Sequence, residues 1–140
     1  MRRSRIVAEP PVAIPGGTVA ERRARGIEDP DVQALRAVLC CEPRGHADMY
    51  GGFIVSPDDA GAHLGVLFWH KDGFSAACAH GTIALGVWAV DTGRVAAPET
   101  GSLDVVIDVP SGRVMARVHR EDARVVAVDF VNVPSWAHRP

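Results

Sequence analysis

The sequence predicts one α+β domain in which curved strands wrap an apolar helix. Three observations point there. The chain has 140 residues, enough for one domain and too few for two ordinary ones. Its last third alternates apolar and polar residues with a period of two, the pattern of half-buried strands. Ahead of it, residues 79–90 contain no Asp, Glu, Lys or Arg. The length and alanines of that stretch favour a helix, and its lack of a polar face calls for burial on all sides.

Composition fits this picture. Hydrophobic residues make up 47% and charged residues 23%, as in globular and not disordered chains. A compact fold of this size buries about 68% of its unfolded surface, so a modest core needs no disulfides. The 14 glycines and 10 prolines exceed the usual share of about 12% and predict many turns between short elements.

Taken in order, residues 5–14 are apolar but broken by prolines, at best an edge strand. Gly16-Gly17 marks a turn, and residues 18–25 suit one or two helical turns. Asp29 followed by Pro30 is a helix start, a side-chain acceptor at the cap and proline at the first helical position. Val32, Leu35, Val38 and Leu39 then recur at helical spacing, and the helix is expected to stop before Pro43. Residues 53–55 form a short apolar run ended by Ser56-Pro57. Residues 64–69 are apolar throughout and read as a strand buried on both sides. Lys71-Asp72-Gly73 is a turn, and Asp91-Thr92-Gly93 ends the apolar helix. Gly81 and Gly86 weaken helix propensity but let neighbouring backbone approach closely.

Next come Leu103, Val105, Ile107 and Val109 on one strand face, then a turn at Pro110-Ser111-Gly112. Val114, Ala116 and Val118 follow, alternating with Arg113, Met115, Arg117 and His119. After a turn at Glu121-Asp122, Val126, Val128, Phe130 and Asn132 are expected on one face, with Val125, Ala127, Asp129 and Val131 on the other. Together these predict a β-meander.

Several function classes fall away. No apolar run approaches the roughly 20 residues of a membrane span. Met1 to Arg5 is basic, but Glu9, Pro10, Pro11 and Pro15 interrupt the apolar stretch a signal peptide needs. The net charge of -2 gives no general attraction to nucleic acid. Lys71 is the sole lysine beside 14 arginines, a bias read first as genomic composition. No aromatics interleave with the early arginines as a nucleic-acid arm requires. Cys40, Cys41 and Cys78 have no metal or redox spacing, and His46, His63, His70 and His80 are scattered, so no metal is expected. Reduced thiols fit a cytoplasmic protein.

The chemistry is sought at the start of the apolar helix, Phe74-Ser75-Ala76-Ala77-Cys78-Ala79-His80-Gly81-Thr82-Ile83-Ala84. A thiol at a helix start sits among unpaired backbone donors, which with the helix dipole favour a thiolate. The same amides can hold a carboxylate. On this reading Cys78 is a base, His80 hydrogen-bonds substrate or thiol, and Thr82 caps a turn or orients an anion. A bland reading stands beside it: Cys78 as an inert buried cysteine, His80 as a structural or surface histidine, Thr82 as helix packing. A second segment, Glu42-Pro43-Arg44-Gly45-His46-Ala47-Asp48-Met49-Tyr50-Gly51-Gly52, puts charges between apolar elements. There Arg44 either binds a carboxylate or pairs with Glu42 or Asp48. A third is Asn132-Val133-Pro134-Ser135-Trp136, whose bland reading is a strand end with a packed tryptophan.

These three segments, in this order and spacing, resemble the proline racemase family, which includes 4-hydroxyproline 2-epimerases and trans-3-hydroxy-L-proline dehydratases. Residues 6–25 also resemble its early strand, turn and short helix, so the resemblance covers nearly the whole chain. It implies a lobe of the diaminopimelate epimerase type, a curved mixed β-sheet or barrel around a buried central helix. It implies two such lobes per family protein, with the active site between them and one cysteine from each. One cysteine takes the α-proton of the amino acid and the other returns a proton to the opposite face, without pyridoxal phosphate, metal or other cofactor. By position Cys78 matches the first-lobe cysteine, and Ala79, His80 and Gly81 match the loop that touches the substrate.

The departures carry their own expectations. Residues 1–140 match the first lobe alone, with the second lobe and its cysteine absent, and the family's opening strand is missing before Arg5. Ala79 stands where the family usually has glycine, and Ala77 where it has methionine. The expected function is a racemase-like or hydroxyproline 2-epimerase-like isomerase lobe, incomplete and inactive alone. The alternatives are a lobe of a trans-3-hydroxy-L-proline dehydratase-type lyase, or a non-catalytic remnant or binding protein. Its expected partners are a proline- or hydroxyproline-like small molecule and a separate second lobe or another copy of the chain, with neither nucleic acid nor membrane.

Overall fold

A computed structural model describes residues 4–10, 14–40, 50–70, 73–75 and 77–131. In chain order the elements are β1 (Ser4–Val7), α1 (Val19–Glu28), α2 (Pro30–Cys40), β2 (Tyr50–Val55), β3 (Leu64–His70), β4 (Gly73–Phe74), α3 (Ala79–Asp91), β5 (Gly101–Val109), β6 (Gly112–Glu121) and β7 (Arg124–Val131). The seven strands make one curved mixed sheet in the order β1-β2-β3-β5-β6-β7, with β4 paired to β3 off that path. β1 runs parallel to β2, and β3 parallel to β5; the other pairs are antiparallel. The expected α+β lobe, a half-barrel with helices against it, is what forms.

Local chemistry sets the helix starts. The Thr18 hydroxyl accepts the Glu21 N–H at 3.1 Å, and the Glu21 carboxylate accepts the Gly17 N–H at 2.8 Å. This reciprocal cap begins a helix that runs on to Glu28, longer than the one or two turns expected. The Asp29 carboxylate accepts the Asp31 N–H at 2.9 Å, so the Asp29-Pro30 signal starts α2 as predicted.

β3 divides the core. Leu64, Val66 and Phe68 face a cluster built with α3, β5 and β6, while Leu67 and Trp69 face a second cluster with Phe53, Val19, Val32 and Phe74. Alternate residues on one strand thus serve opposite faces, which is why its sequence is apolar at every position. A chain of polar contacts around the buried Asp108 ties α1 to the meander. The Asp58 carboxylate accepts the Val19 N–H at 2.7 Å, and the Asp58 N–H donates to the buried Asp108 carboxylate at 2.8 Å. Arg113 Nε donates to that same carboxylate at 2.8 Å, so the buried charge is paired.

Two expectations need correcting. The first concerns β7, where Val126 was expected beside Val128 and Phe130. A bulge between His119 and Arg120 moves the register from His119↔Ala127 to Arg120↔Val125. An extra residue reverses the alternation. Val125 therefore packs on the core with Val128 and Phe130, and Val126 turns outward, 59% exposed. The second concerns α3, expected to be buried on all sides. Thr82, Leu85, Gly86, Ala89 and Val90 are buried, but Ile83, Ala84, Val87 and Trp88 are only half-buried. The sheet curls round one side of the helix, and among the described residues β1 and β7 do not pair to close it.

Candidate functional site

Cys78 is the cap of α3, in extended conformation with φ −153° and ψ 114°. Its Sγ accepts the Gly81 N–H at 3.2 Å, so the thiol takes the place that a serine or aspartate oxygen fills at most helix starts. Its carbonyl accepts both the Thr82 N–H at 2.9 Å and the Thr82 hydroxyl at 2.8 Å. Cys78 is half-buried, at the border of the α3 cluster.

The close fit that this requires comes from Gly81. A methyl group there would stand 2.4 Å from the Phe68 ring, so only glycine lets the first turn rest on β3. Farther along, a methyl group on Gly86 would stand 2.6 Å from Cβ of Ala116, which is how α3 seats on β6. Both glycines act as the close-approach positions that the sequence suggested.

The other residues at the helix start separate by exposure. Ala77, Ala79 and His80 are exposed, whereas Gly81 and Thr82 are buried. Thr82, with its hydroxyl turned back onto Cys78 and 1% exposed, is packing and local hydrogen bonding. Ala79 and His80 are exposed at the helix start, where the first amides have no partner within the helix.

The sheet places Tyr50 beside Cys78 and against Ser75, two residues that received no role from the sequence. Tyr50 is the first residue of β2, and its hydroxyl lies 2.5 Å from the Ser75 hydroxyl. Burial pushes the Tyr50 hydroxyl up from its ordinary value, the Ser75 hydrogen bond pulls it down, and the neighbouring Cys78 raises it by charge and by hydrogen bonding. Tyr50 stands in the second sequence segment and Ser75 in the first. No spacing rule connects them; only the pairing of β2 with β3 does.

Cys40 lies elsewhere. It is 1% exposed in the cluster of α1, α2, β2 and β3, on the opposite face of the sheet from Cys78. Cys41, the stretch from Glu42 to Met49 that includes Arg44, and Asn132 to Trp136 lie outside the described residues. Among the described residues no three His, Cys, Asp or Glu side chains gather as a metal site, and no helix is long and apolar enough to cross a membrane.

Comparison with known proteins gives one consistent family. A family model described as proline racemase matches residues 2–140. Trans-3-hydroxy-L-proline dehydratase of Burkholderia ambifaria is 44% identical over 137 residues, covering 96% of this chain and 39% of that protein. A 3-hydroxyproline 2-epimerase of Burkholderia multivorans is 44% identical over 134 residues, covering 94% of this chain and 38% of that protein. Proline racemase A of Trypanosoma cruzi is 36% identical over 140 residues, 97% of this chain and 33% of that protein. The chain thus spans about two-fifths of the length of the curated relatives it matches. Among solved structures, a hydroxyproline epimerase from Agrobacterium vitis with bound trans-4-OH-L-proline superposes with a TM-score of 0.84 at 22% identity, over 91% of this chain and 37% of that one. A probable proline racemase from Agrobacterium radiobacter with bound carbonate superposes with a TM-score of 0.80 at 25% identity, over 86% of this chain and 35% of that one.

Proposed function

We propose, from the premise that the chain belongs to the proline racemase family, that these residues form one half of a proton-transfer site for a proline- or hydroxyproline-like amino acid. The observation that carries the reading is Cys78 as the cap of α3, with its sulfur on the Gly81 amide. The Cys78 thiolate takes the α-proton, and the negative charge left on the α-carbon spreads into the substrate carboxylate. Ala79, His80 and Gly81 form the substrate-binding turn. The Gly81 N–H serves the sulfur, so holding the carboxylate falls to the amides of Ala79 and His80 at the positive end of the helix.

Inversion at the α-carbon needs an acid on the face opposite the base, within hydrogen-bonding reach. Cys40 is on the wrong side of the sheet. Among the described residues no second thiol stands on the Cys78 side of the sheet, and we assign the second group to a second lobe, which would also shield the carbanion from water. Without it, these 140 residues carry half a site and do not turn over. A lyase lobe is the second reading, favoured by the dehydratase names of several of the relatives. Cys78 would make the same first step in it, and loss of a β-hydroxyl would follow.

The thiol chemistry can be checked without a substrate. Iodoacetamide near neutral pH is expected to alkylate Cys78 well before Cys40, with peptide mass spectrometry assigning each site. Equally slow labelling of both would remove the basis for a base at this position.

A further inference from the structure

Resting on the reading of Cys78 as a base, we propose that Tyr50 is a positioning residue for it: the Tyr50 hydroxyl, fixed by Ser75, donates a hydrogen bond to the Cys78 sulfur once the thiol has lost its proton.

The geometry is built from three directions. The Tyr50 ring lies 6.4 Å from that of Phe68 and 5.7 Å from that of His70, held over β3 by both. Ser75 is fixed to the same strand, its N–H donating to the Phe68 carbonyl at 3.0 Å. It lies three residues ahead of Cys78 and meets the Tyr50 hydroxyl at 2.5 Å. Tyr50 and Gly81, the donor to Sγ, line one narrow crevice with Phe68, Ala84 and Leu85.

Two hydroxyls that share one hydrogen bond cannot both donate in it. If Ser75 donates, the Tyr50 proton is free to point at sulfur. Burial and the neighbouring Cys78 push the Tyr50 hydroxyl up, the Ser75 hydrogen bond pulls it down, and the net direction is upward. Tyr50 thus remains a protonated donor. Sulfur then has an amide donor from Gly81 and a hydroxyl donor from Tyr50, which orient the lone pair left for the substrate proton. The other titratable or charged described groups about this crevice are His70 beside the Tyr50 ring, Arg5 on its lining and exposed His80 on α3.

The test is the pH profile of iodoacetamide alkylation at Cys78 in the full chain, with Cys40 as internal reference. Tyr50→Phe keeps the ring and removes the donor. Its profile should move upward by about one pH unit, with labelling about tenfold slower below the midpoint. Ser75→Ala should move it in the same direction by less, and it stands as the second variant should Tyr50→Phe fold poorly. Profiles of both variants that superpose on the parent's overturn the proposal. So does a fall in rate at every pH with an unmoved midpoint, which would mark altered access instead. Fast labelling of the parent with unmoved variants removes only the role of Tyr50. Labelling of the parent's Cys78 no faster than Cys40 removes the base reading itself.

Discussion

Cys78→Ser is expected to cut α-proton exchange by about 10²–10⁴-fold when the chain is supplied with a second lobe from a relative. Serine is a good helix cap, so the Gly81 N–H keeps an acceptor and α3 keeps its start. What is lost is a group that gives up its proton near neutral pH, since a hydroxyl is a far weaker acid than a thiol. Structure and chemistry are therefore separated by a single atom. Deuterium entry at the α-carbon of trans-4-hydroxy-L-proline measures the effect, and thermal melting checks that the fold survives. A serine variant exchanging within a few-fold of the parent would show that Cys78 is not the base.

Trp69→Ala should have the largest effect on stability, a loss of about 3–5 kcal/mol. Such a loss is a large part of the 5–15 kcal/mol that holds a typical domain together. Trp69 is fully buried, 5.6 Å from the Phe53 ring, and its ring edge fills the space beside Gly51 that a methyl group would enter at 2.3 Å. Removing it opens the cluster under α1 and α2 and loosens the β2–β3 ladder that carries Tyr50. Trp69→Phe should cost much less, because the ring contact remains and the indole N–H has no hydrogen-bond partner among the described residues. Urea unfolding of both variants decides it; equal losses would mean that the ring does not anchor this cluster.

The elements legible in the sequence were those with a local cause. Asp29-Pro30 starts α2, and the glycines of α3 permit its close packing. The two-period runs after residue 101 form the β5–β6–β7 meander. Elements set by distant pairing were not legible. Nothing near Ser4 indicates a parallel partner at Tyr50, and nothing near Leu64 indicates one at Ile107. The bulge opposite His119 is likewise a choice between two strands, and it overrode the alternation at Val125 and Val126. In the candidate site, Cys78 was legible because helix starts have recognisable chemistry. Tyr50 and Ser75 were not, because they meet only when β2 pairs with β3. The polarity of α3 misled for a related reason: an apolar helix reports how much surface it can bury, not how much the sheet covers.

The central claim is that Cys78 forms one half of a two-sided proton-transfer site. Its most direct measurement is solvent-deuterium incorporation at the α-carbon of L-proline and trans-4-hydroxy-L-proline, by the chain alone and with a second lobe added. The account predicts no incorporation above background by the chain alone, and incorporation that depends on Cys78 once the second lobe is present. Incorporation by the chain alone at the same rate as with the lobe would contradict it.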